Sequence, residues 1–174
     1  LMLLASGVNF GFRRTIPHML GISLGFVFMA IPVGLGLGAL FVALPQMQLV
    51  LKVVAGLYML YLGWRIASAS VMGEARANAR PLTFWEAAAF QWVNPKAVFM
   101  AVTAMTTYTN PAMFIPSVLT VAMVFGVVNA PSVSAWAVFG AAMRNWLSDP
   151  KRLRLFNISM GLLLVLSLWP MLRA

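Results

Sequence analysis

Few residues in this chain could do chemistry. The densest group is Gln91-Trp92-Val93-Asn94-Pro95-Lys96-Ala97, which sets polar groups inside an apolar run. Pro95 has no N–H and its ring clashes with the carbonyl four residues back, so a helix passing here loses its bond to Gln91 and breaks near Asn94. Asn94 suits an N-cap and Pro95 the first position of a new helix, and Lys96 adds a full charge to the positive end of that helix dipole. Such an end is a site for an anion, for instance a carboxylate. Gln91, Asn94, Pro95 and Lys96 are therefore the candidate substrate-binding residues. Glu86, one or two turns earlier, is a candidate counter-ion or proton acceptor. Tyr61, on one helical face with Tyr58, is a candidate for lining a cavity. Asn129, in Asn129-Ala130-Pro131, is another, at a place where a turn could unwind. The competing reading of the heptapeptide is a plain proline kink whose lysine reaches the membrane interface.

What is missing narrows the chemistry further. The 174 residues contain no Cys, one His and three acidic side chains. A disulfide, a thiolate nucleophile and a cysteine metal site are thereby excluded, and neither a metal nor a cofactor is expected. His18 lies beside Arg13 and Arg14 with no carboxylate or second His near it in sequence, and reads as an interfacial histidine. With no nucleophile–base pair legible, an enzyme is not expected. The net charge of +9 raises nucleic acid as a partner, but the twelve Lys and Arg sit in short clusters between apolar runs rather than on a polar face. No nucleic-acid partner is expected.

The elements that must position these residues are apolar. The chain is 62% hydrophobic and 9% charged, with a mean hydropathy of +0.91. That composition describes an all-α, polytopic transmembrane helix bundle whose partner is the lipid bilayer. Apolar runs cover 1–10, 17–44, 49–68, 84–108, 112–142 and 155–172. Five reach the roughly 20 residues that a span needs. The first, at about 1.5 Å per residue, covers only half of a hydrocarbon core, and it reads as the tail of a first helix whose beginning is missing. Arg13 and Arg14 follow that run instead of preceding it, which is not the order of a signal peptide.

Six spans put charge on alternate connections. Arg13 and Arg14 fall on the first, Arg65, Arg76 and Arg80 on the third, and Arg144, Lys151, Arg152 and Arg154 on the fifth. The even connections, 45–48 and 109–111, carry none. The positive-inside rule then places the charged loops in the cytoplasm and both chain ends on the outer side. Five spans, with 1–10 as a tail, give nearly the same loops. The chain reads as a single membrane domain, 1–174, with repeat one at 1–68, a cytoplasmic loop at 69–83 and repeat two at 84–174. Three spans per half require two homologous halves to be inverted, an architecture of secondary transporters. Entering from the cytoplasm at Phe84, the chain carries Asn94 about 15 Å deep, near the bilayer midplane. Gly21 and Gly25, a small-xxx-small pair, and the glycines after Pro32 read as close helix packing plus a kink.

In several ordered pieces the sequence resembles the LysE/RhtB family of amino-acid exporters. The pieces are Leu3-Leu4-Ala5 through Gly7, Gly11-Phe12-Arg13-Arg14 leading to Gly21, and Lys52 with Gly56 and Tyr58-Met59-Leu60-Tyr61-Leu62-Gly63. Further on they are Phe84, Gln91, Asn94-Pro95-Lys96-Ala97, Phe139-Gly140, Arg144, and Phe156-Asn157 with Gly161. The resemblance implies two inverted triplets of spans in the bacterial inner membrane. It also implies export of amino acids or close derivatives driven by the proton-motive force, with an amino acid and protons as partners. A homo-oligomer is allowed by the sequence. The family's Pro-Gly-Pro motif in the first helix is absent here. Rival readings are a non-transporting membrane scaffold or subunit, and an exporter of another small solute.

Overall fold

The computed structural model describes residues 1–69 and 80–169. Among them the chain is helical, with short 3-10 and π turns and no strand. In order come α1 (Met2–Phe10), α2 (Phe12–Pro32), a π turn (Val33–Leu37), α3 (Gly38–Ala43), α4 (Pro45–Ala67), α5 (Phe84–Val93), α6 (Pro95–Tyr108), α7 (Phe114–Met143) and α8 (Pro150–Leu166). Each apolar run of the sequence carries helix. Phe12–Leu37 and Pro111–Met143 are each long and apolar enough to cross a membrane on their own. The outer surface carries many large apolar side chains: Phe28, Leu57, Phe99, Val127 and Leu162 are all exposed. That surface belongs in hydrocarbon, and the protein is a membrane helix bundle.

Several boundaries differ from the apolar runs, for a local reason. The second helix starts at Phe12, so Arg13 and Arg14 occupy its first turn and do not form a loop. Gly11 alone makes the connection, at φ 79°, a left-handed conformation that suits glycine. In the same way Pro45 begins α4, and the even connection expected at 45–48 is that helix's first turn. The last helix begins at Pro150, capped by Asp149, which accepts from the Lys151 and Arg152 N–H groups at 2.9 and 3.0 Å. Hydropathy marks where side chains turn apolar; caps and prolines decide where helices begin. Arg76 and Glu74 lie outside the described residues.

Helices associate in lipid through close contact of small residues. Gly7 of α1 lies against Ala137, Gly140 and Ala141 of α7, and a side-chain carbon at Gly140 would collide with the Leu4 carbonyl. In α2, Gly21 and Gly25 sit on Phe84, Ala87 and Ala88 of α5. Gly63 of α4 faces Gly161 of α8. Registers give directions. Residue numbers rise together from Leu3–Val133 to Gly7–Ala141 and from Gly21–Phe84 to Gly25–Ala88, so α1 runs parallel to α7 and α2 to α5. Met19–Val133 and Val27–Gly126 make α2 antiparallel to α7; Gly63–Val165 and Ala67–Gly161 make α4 antiparallel to α8. The largest apolar core gathers Phe26, Met29 and Ala30 of α2, Ala101 and Met105 of α6, and Val118 and Ala122 of α7.

After Pro32 the second span does more than kink. Gly36 stands at φ 128°, ψ −15°, and splits the helix into a π turn followed by α3.

Candidate functional site

The heptapeptide breaks its helix at the expected residue. Asn94 has φ −80° and ψ 105°, an extended conformation between α5 and α6. Its side-chain oxygen accepts from the Lys96 N–H at 3.2 Å, and its carbonyl accepts from Val98 N–H at 3.0 Å. Pro95 takes the first position of α6, where a missing N–H costs nothing. Lys96 is exposed on that first turn. Ten residues of α5 precede the break, about 15 Å of helix, or half a bilayer core. A helix terminus with a cation and partly free backbone donors therefore lies between a ten-residue and a fourteen-residue helix.

The other residues singled out in the sequence are not gathered there. Gln91 is buried but turns back on its own helix, donating to Ala87 O at 3.1 Å. At the start of α5, Glu86 forms a capping box with Thr83, whose N–H it accepts at 2.7 Å. It also takes two bonds from Arg80, at 2.6 and 2.8 Å, so its counter-ion is Arg80. Arg80, outside the spans, is held above the usual guanidinium range by the hydrogen bond and charge of Glu86. Tyr61 is half exposed on α4, its ring 6.1 Å from that of Tyr58 and 6.4 Å from that of Trp64. Asn129 sits on α7, which continues unbroken through Pro131, so no turn unwinds there. Ala130 precedes Pro131 and offers no side-chain oxygen to cap a new start, as Asn94 does before Pro95.

A second polar cluster, at the arginine-rich end, was not legible as a unit. Asn9 and Asn157, both buried, exchange amide bonds: Asn9 Nδ2 donates to Asn157 Oδ1 at 2.8 Å, and Asn157 Nδ2 donates back at 3.1 Å. Asn157 Nδ2 also donates to Ala69 O at 2.7 Å. Ser6 and Thr15 share a bond of 3.0 Å. His18 is a correction. Read as interfacial, it is 2% exposed, and neither ring nitrogen has a hydrogen-bond partner among the described residues. The small residues of α1, α2 and α5 let the helices close over it. It lines a cavity of about 70 Å³ with Ser6, Asn9, Arg65, Arg80 and Leu82. The one available signal was polarity at Asn9 and Asn157 within apolar runs.

A helical membrane bundle that carries a broken helix has a feature found in transporters. A sequence model described as LysE type translocator matches residues 1–167, and the chain belongs to that family. Proteins named cysteine/O-acetylserine efflux protein in Escherichia coli (strain K12), Shigella flexneri and Salmonella choleraesuis (strain SC-B67) are each 29% identical to it over 167 residues. The alignments cover 95% of this chain and 84% of each relative. No solved structure matches it. These relatives are efflux proteins, consistent with a transporter and not an enzyme.

Proposed function

We propose that this chain is a secondary transporter that exports amino acids or close derivatives across the bacterial inner membrane, driven by the proton-motive force. The observation that carries the reading is the break at Asn94. The N-terminus of α6 receives the substrate carboxylate, Lys96 supplies the charge, and Asn94 holds the break open. Gln91 shapes the α5 side of the site. Cysteine and O-acetylserine, named for the relatives, are the first substrates to test.

Helix directions support an inverted-repeat architecture of 1–68 and 84–174 about the loop 69–83. A two-fold axis in the membrane plane exchanges the first span with the fourth, the second with the fifth and the third with the sixth. It therefore turns the parallel α1–α7 contact into the parallel α2–α5 contact, and maps the antiparallel α2–α7 and α4–α8 contacts onto themselves. The arginine-bearing connections face the cytoplasm, with Leu1 and Ala174 toward the outer side.

The experiment is counterflow of labelled cysteine in liposomes containing this protein alone. A charge-assisted bond to a carboxylate is worth about 1.5–3 kcal/mol, so Lys96→Ala should weaken apparent affinity roughly 10- to 150-fold. Asn94→Ala should act in the same direction. If both variants insert normally and export at the parent rate, the site is wrong. A parent with no flux at all would favour a scaffold.

A further inference from the structure

We propose that His18 is the proton-carrying residue of this exporter, and that the cavity beside it is where the proton meets the cytoplasm. The proposal rests on the exporter reading above. A neutral imidazole offers one donor and one acceptor. In His18 both are buried without a partner among the described residues, which is costly inside a helix bundle. The ring borders a cavity of about 70 Å³, room for more than one water, that runs past Ser6 and Asn9 to Arg65 and Arg80 at the arginine-rich end.

The chemistry of the side chains in this sequence favours the same residue. A proton-driven exporter needs a group that gains and loses a proton near neutral pH, and histidine is the side chain suited to this. His18 is the one His in the chain. Of the three acids, Glu86 is held by Thr83 and Arg80, Asp149 caps α8, and Glu74 lies outside the described residues. Neither α1 nor α7 has a titratable side chain. The charged side chains that face His18 are Arg65 from α4, Arg80 from the stretch before α5 and Glu86 from α5.

The step balances simply. A proton from the outer side binds the lone pair of one ring nitrogen, giving imidazolium, and leaves from the ring to cavity water on the cytoplasmic side. Among the described residues Arg65 has no carboxylate partner, its guanidinium donating to the Arg80 carbonyl. A substrate carboxylate passing Arg65 on its way from the cytoplasm to the α6 terminus changes the field at the ring, and by linkage substrate and proton must then alter each other's binding equally.

The test uses proteoliposomes and labelled cysteine. Parent counterflow without a pH gradient comes first; if it is absent, the exporter reading fails and His18 is not at issue. With one pH unit across the membrane, a one-proton exchange accumulates substrate about tenfold. The readout is the coupling ratio, pH-driven accumulation divided by gradient-free counterflow in the same vesicles. In H18Q and H18N that ratio should collapse to no accumulation above equilibrium; a parent-like ratio would overturn the proposal and leave His18 as a packing residue holding water. Should neither variant insert, the parent decides. Its single histidine, ¹⁵N-labelled in nanodiscs, gives one imidazole titration, and saturating cysteine should move its midpoint by about one pH unit, a tenfold linkage. An unmoved midpoint would refute the assignment.

Discussion

Replacing either member of the Asn9–Asn157 pair by leucine should destabilise the protein, and replacing both should restore most of the loss. Asn157 is completely buried and makes three bonds, two with Asn9 and one with Ala69 O. Asn157→Leu removes all three. Asn9 Nδ2 keeps its 2.8 Å bond to Ala5 O, but Asn9 Oδ1 loses its donor inside the bundle. A buried acceptor left without a partner costs about 1–3 kcal/mol. Interhelical polar bonds in membranes are worth roughly 0.6 kcal/mol on average, rising to about 1.7. A loss near 2 kcal/mol is therefore expected for Asn157→Leu, roughly a 30-fold change in the folded-to-unfolded ratio. Asn9→Leu should match it, because Asn157 Oδ1 is then the orphan while Asn157 Nδ2 retains Ala69 O. The double variant leaves no side-chain orphan; Ala69 O, only part-buried, loses one donor, and apolar replacement of both members of a pair is nearly neutral. It should lie within about 1 kcal/mol of the parent, a coupling of some 3 kcal/mol between the two sites. Reversible unfolding in mixed detergent–SDS micelles, followed by helical circular dichroism, measures all four proteins. Additive single losses would refute the pairing; neutral singles would show that lipid or water satisfies the orphans.

Two more outcomes follow from packing and topology. Gly140→Leu pushes a side chain into the backbone of α1 at Leu4 and Val8, so α1 must move off α7. A loss of about 1–3 kcal/mol or more is expected in the same assay, because backbone cannot yield as a flexible side chain does. Since the chain has no native cysteine, single cysteines report sidedness directly. Asn110→Cys and Asn145→Cys, both at exposed positions, should react with a membrane-impermeant maleimide from opposite sides of the membrane, and labelling from the same side would contradict the proposed arrangement of spans.

Two prolines show how far local chemistry reads through to structure. At Pro95 the preceding residue is Asn94, whose side chain takes the Lys96 N–H, so the break has its own cap and could be read from sequence. At Pro131 the preceding residue is Ala130, the helix gains nothing by stopping, and α7 runs on to Met143. The same distinction explains the boundaries: Asp149 caps a charged first turn that hydropathy assigns to a loop. His18 obeys no such local rule. Its neighbours in sequence are arginines, which suggest an interface. Its neighbours in space are Ser6 and Asn9 from the preceding helix, and Arg65 and Leu82 from far along the chain. They meet because Gly21 and Gly25, one and two turns beyond His18, admit α5 to close contact. The glycine pair is visible in sequence, but what it buries depends on which helix arrives. That partner is set by tertiary packing, so the residue whose buried side-chain nitrogens lack hydrogen bonds among the described residues is one for which sequence pattern gives the wrong environment.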